Sequence, residues 1–159
     1  MHKMKLLKLV TDKHKEISEQ ESVVSGFLEA FNKKEVLSDL SATVNFFSVD
    51  MVRHFIKENV IFNALLKTPG ISPKVSEVVA ATLKEHDKFM EEFKRLADAA
   101  ANIDSGRDEL SLDFIKKCQY IAWALGKHAQ VEDFVIFPEI EEKMGEDIFK
   151  LLEAELSKI

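Results

Sequence analysis

Cysteine is all but missing from this chain: Cys118 stands alone, so no disulfide can form within it. The lack of further thiolates disfavours a structural zinc or an iron–sulfur cluster. Proline and glycine are scarce as well, at three and five residues, too few for a loop-rich or all-β protein. No run approaches the roughly 18 consecutive apolar residues of a membrane span. The opening stretch, MHKMKLLKLVTDKHKE, turns charged too soon for a signal-peptide core, so a cytoplasmic setting is expected. Positive charge is in deficit too. A formal net charge of −6 leaves no basic stripe for the phosphates of a nucleic acid.

What remains is helix-forming and apolar. Hydrophobic residues make up 46% of the 159, and twelve phenylalanines against one Trp and one Tyr imply an aromatic core with few polar handles. That length fits one domain, 1–159, with a single sizeable core. Apolar residues at steps of three and four predict four long helices. They run from about Leu6 to Asn32, Val36 to Lys67, Pro73 to Ala101 and Ser111 to Glu142. The first stripe includes Leu7, Val10, Ile17, Val24, Leu28 and Phe31. A short amphipathic helix, Ile148 to Leu156, follows Gly145. Thr68-Pro69-Gly70-Ile71-Ser72-Pro73 is the strongest turn, with Ser72 as N-cap and Pro73 at the first helical position. Pro138 should weaken or kink the last part of the fourth helix. Short connections between long helices make neighbours antiparallel, hence an all-α, up-down-up-down four-helix bundle with a short C-terminal helix.

The chemistry lies in the histidines. His14, His54, His86 and His128 fall one on each long helix, each within its apolar stripe. Glu58 and Glu132 follow His54 and His128 by four residues, a step of about 400° that points both side chains the same way. Counted from one end of the bundle, His14 lies roughly 12 Å in and the other three roughly 20 Å, levels that agree within the uncertainty of the helix ends. A lone histidine on an apolar face is ordinarily a hydrogen-bonded core residue. Here two buried carboxylates share the same stripes with no Lys or Arg to neutralise them, and a bound cation removes that penalty. Imidazole with carboxylate suits iron, zinc or manganese. Four histidines and two bridging carboxylates would leave a pair of such metals with positions for an oxo or hydroxo bridge and a small diatomic.

These residues resemble a known family. His14 in DKHKEI, His54 and Glu58 in RHFIKENVIF, His86 in KEHDKF, and His128 with Glu132 in KHAQVEDFVIFPEI are similar to the motifs of hemerythrin-like, or HHE cation-binding, domains. The resemblance covers essentially the whole chain. It implies a pair of non-haem irons, carboxylate-bridged, that binds O2 or NO. Oxygen carriers of the family have a second histidine one turn along helix 3, where this chain has Met90, a space-filling residue. They place the last carboxylate at the position of Asp133; on a regular helix that residue points about 140° away, so Glu132 is the expected ligand and Asp133 the reserve. The four-histidine, two-glutamate set is nearest to that of iron-centre repair proteins, whose cysteine-bearing N-terminal segment has no counterpart here.

Three functional readings follow. The first is a protein that binds or senses O2 or NO. The second is a di-iron enzyme or iron donor of the stress response, reducing NO or O2 or supplying iron to damaged centres. The third is a metal-independent helical interaction module. Glu21, Glu85, Tyr120 and Trp123 carry no expected metal role: Glu21 is read as a bundle-edge carboxylate and Glu85 as solvated.

Overall fold

The computed structural model describes residues 2–27 and 35–159. Among them every regular element is helical. Helix α1 spans His2–Ser25. Helix α2, residues 35–66, runs Glu35–Asn45 and Val52–Leu66 with a π turn, Phe46–Met51, between them. Helix α3 is Pro73–Asp104. Helix α4, residues 112–143, runs Leu112–Val131 and Phe137–Lys143 around a second π turn, Glu132–Ile136. The short helix α5 is Glu146–Leu156 and packs against α1 and α2.

Side-chain contacts set the directions. Thr43 donates to Gln20, and His14 meets Glu58, so α1 and α2 run oppositely. His86 against Asn59 does the same for α2 and α3, and His128 against Glu85, with the loop 105–111, for α3 and α4. Gln119 on the Val24 carbonyl and Asp133 on His14 close the ring between α4 and α1. The bundle is up-down-up-down, as the short connections predicted.

The apolar core is split in two. One cluster, centred on Phe47, Phe55, Phe93 and Ile115, fills one half of the bundle. Another, around Ile61, Phe62, Ile136 and Phe149, fills the half under α5. The predicted histidines and glutamates lie between them.

Element ends differ from expectation in informative ways. Helix α1 gives way to a turn at Gly26 and Phe27, and the predicted Leu28 and Phe31 lie outside the described residues. Helix α3 continues to Asp104, three residues past its expected end. It stops where Gly106 takes φ +76°, letting the Arg107 and Asp108 amides both donate to the Asn102 carbonyl. Ser72 occupies the N-cap position of α3, but its side chain does not cap; its backbone amide donates instead to Glu139, at 2.8 Å. Pro138 does not break α4. The chain widens into the π turn just before it, with the Phe137 amide reaching back to the Glu132 carbonyl, and helix resumes.

Ser111 does cap α4, its Oγ accepting from the Phe114 amide at 3.1 Å. Ser111→Ala should therefore cost about 1 kcal/mol in chemical denaturation, and Ser72→Ala much less.

Candidate metal centre

All six predicted side chains come together. His14, His54, Glu58, His86, His128 and Glu132 are each at most 8% exposed, both carboxylates being fully buried. Their ligand-type atoms form two overlapping groups: His14, His54, Glu58 and Glu132, and Glu58, His86, His128 and Glu132. Within each group these atoms lie within 4.8 Å of one another.

Each carboxylate straddles both groups. Glu58 Oε1 lies 2.8 Å from His54 Nε2 and 3.3 Å from His14 Nε2, while its Oε2 lies 3.3 Å from His86 Nε2. Glu132 Oε2 lies 3.0 Å from His14 Nε2, and its Oε1 lies 2.9 Å from His128 Nε2 and 3.2 Å from His86 Nε2. Both glutamates thus have the placement of bridging ligands.

The outer ring nitrogens carry the second half of the argument. His14 Nδ1 donates to Asp133 Oδ1 at 2.8 Å, His86 Nδ1 to Asn59 Oδ1 at 2.6 Å, and His128 Nδ1 to Glu85 Oε2 at 2.7 Å. All of these partners are acceptors, so Nδ1 keeps its proton and Nε2 presents a lone pair inward. In neutral rings those lone pairs face carboxylate lone pairs and one another; His86 and His128 Nε2 are 2.9 Å apart. With the rings neutral, His54 Nε2, Glu58 Oε2 and Glu132 Oε2 are buried without a hydrogen bond. Only cations placed among these atoms, protons or metals, reconcile the arrangement. The donor set of imidazole and carboxylate, with outer partners fixing the tautomers of His14, His86 and His128, fits a pair of borderline-hard divalent metals.

Without metal, protons take that place. Burial pulls the His14 imidazolium down, but hydrogen bonds and charge from Glu132 and Glu58 outweigh it and push the pKa up to about 11. His128 follows the same balance, with Glu132 and Glu85 raising it to about 9. Burial would raise Glu132; its bonds to His128, His14 and His86 instead hold it well below the usual carboxylate range. At pH 7 metal uptake must then displace protons from His14 and His128. A weakly buffered solution should acidify by on the order of one or two protons per chain, and affinity should fall as pH is lowered.

Aromatic rings wall the centre. Phe55 stacks on His86 at 4.1 Å between centroids, and Phe137 on His14 at 5.6 Å. Glu85 was expected in solvent; its side chain is 53% exposed, yet it holds His128 from outside. Asn59 carried no sequence signal at all. Asp133, the reserve ligand, is brought instead to the outer nitrogen of His14, which the π turn starting at Glu132 permits. Glu21 joins neither group and packs over Gly126, where its Oε2 would stand 3.0 Å from an added Cβ. Met90 is half-buried beside the first apolar cluster. Cys118 is buried there, its thiol pushed up to about 12 by that burial. No described helix is long and apolar enough to cross a membrane.

Residues 5–140 match the family described as the hemerythrin HHE cation binding domain. No curated protein and no solved structure matches the chain.

Proposed function

The chain belongs to the hemerythrin HHE cation-binding domain family, a metal-binding family, and from that premise we propose that it holds a pair of non-haem irons and binds or senses O2 or NO there. In this reading His14 and His54 would hold one metal and His86 and His128 the other, with Glu58 and Glu132, which belong to both groups, shared between them. The observation that carries it is the convergence of imidazole lone pairs on two shared, buried carboxylates.

When bound, the irons, with their oxo or hydroxo bridge, would supply the electrons or the open coordination position that a diatomic needs. The protein's own part is positional. Asp133, Asn59 and Glu85 orient three of the rings and keep their inner nitrogens unprotonated when metal is present. Phe55, Phe62 and Phe137 exclude water from the rings they stack on. Because the ligands come from all four long helices, residues 1–159 are read as one functional domain, in the cytoplasm, where a lone buried thiol suits the reducing environment.

The test is anaerobic loading with ferrous iron, metal counting, then exposure to O2 or NO with the near-ultraviolet and visible bands recorded. New bands that reverse under argon support binding or sensing. Turnover to hydrogen peroxide, water or nitrous oxide assigns the chain to the enzyme class instead, and transfer of iron to an apo-acceptor to the donor class. A single zinc, or manganese, retained in place of iron would overturn the iron assignment.

A further inference from the structure

We propose that the outer face of α4 is the interface of a homodimer, in which two copies pair antiparallel about a two-fold axis level with residue 129. This is independent of the metal's identity. On the side of α4 away from the centre, Tyr120, Trp123, Val131 and Phe134 are 66, 48, 42 and 80% exposed. With Lys127 between them they form one stripe at steps of three, four, four and three, the spacing of a helix-pairing seam. Single exposed apolar residues are ordinary; three aromatic rings and a valine aligned on one face of a helix, broken only by Lys127, are not.

Beside the stripe, between α3 and α4, runs a groove of about 560 Å³ walled by Phe89, Tyr120, Trp123 and Val131, with Ala124 and His128 at its base. Phe134 stands outside that groove as a projecting ring.

Charge selects a second copy as the occupant. Lys116 lies at one end of the stripe and Glu142 at the other, both exposed. The step of eight from Phe134 to Glu142 is a heptad plus the one residue that a π turn inserts, which keeps Glu142 on this face. An antiparallel pair centred on residue 129 sets Lys116 of each copy against Glu142 of the other. It also seats Phe134 over Ala124, in the groove, and puts Lys127 beside Val131 rather than beside its own copy. A parallel pair would oppose Lys116 to Lys116. The exposed Glu142 is bound at 2.8 Å to its half-buried neighbour Lys143, a surface ion pair weak enough to exchange. In the dimer Glu85, and with it the outer side of His128, is covered.

Sedimentation velocity of the full chain, as purified, tests this. A monomer–dimer equilibrium in the roughly micromolar range is expected, with a blue shift of the Trp123 emission on association. Phe134→Asp should weaken it by about 30-fold or more, as removal of an interface anchor does. Lys116→Glu and Glu142→Lys should each weaken it several-fold, and together restore it. These positions are exposed, and an unchanged helical circular dichroism signal verifies folding. A chain that stays monomeric at about 100 µM overturns the proposal and leaves the stripe to a different protein. A dimer indifferent to Phe134→Asp, or a double reversal that fails to restore pairing, overturns it as well.

Discussion

Glu132→Ala is expected to abolish stable binding of both metals, while Asp133→Asn, one residue along, lowers affinity by only about 10–100-fold. Glu132 belongs to both His/Glu groups and offers one oxygen to each pair of rings, so in the proposed centre its loss would remove a shared ligand and half of the buried negative charge. Asp133 touches only the outer nitrogen of His14 and is partly exposed; its amide analogue keeps an acceptor there and loses the charge. Metal per chain after gel filtration, with chelator competition for affinity, separates the two. The reverse ranking would make Asp133 the ligand and Glu132 a supporting carboxylate. Glu58→Ala should behave like Glu132→Ala, because its oxygens divide between the pairs in the same way.

Stripping the metals should lower Tm by about 8–16 °C. Free metal at about 30 times each site's dissociation constant stabilises the native state by about 2 kcal/mol per site, about 4 kcal/mol for the pair, and a chain of this size shifts by about 2–4 °C per kcal/mol. The effect should depend on pH with a definite sign. In the metal-free protein His14 and His128 are raised from 6.5 to about 11 and about 9, so their contribution is full below pH 6.5 and is lost as pH rises through those values. Glu132 is lowered from 4.5, so its contribution is present above that value and lost as pH falls below it. The metal-free form is then best stabilised between about pH 4.5 and 6.5. The loaded form needs deprotonated rings and gains as pH rises. Calorimetry of both forms from pH 6 to 9 should show the gap in Tm widening. An equal Tm at every pH would favour the metal-independent module.

Much of the site was legible because helical spacing is rigid. A four-residue step keeps His54 with Glu58 and His128 with Glu132 whatever surrounds them, and both pairs meet as that step requires. The choice of Glu132 over Asp133 used the geometry of a regular helix, and residues 132–136 are not regular. The buried position still falls to Glu132. Its neighbour Asp133 meets the outer nitrogen of the same His14 whose inner nitrogen faces Glu132, so one histidine uses both candidates. Ser111 and Ser72 carry the same capping signal, yet only Ser111 uses its side chain, because Glu139 from α4 takes the amide of Ser72.

From the sequence alone came the helices, their alternating directions and the depth at which six polar side chains sit, since all three follow from periodicity, chain length and rise per residue. Tertiary structure alone decided which acceptors hold three of the rings from outside, for Asn59, Glu85 and Asp133 reach their histidines on other helices. Those pairings depend on how the helices are rotated against one another, to which a repeat read along a single helix is blind.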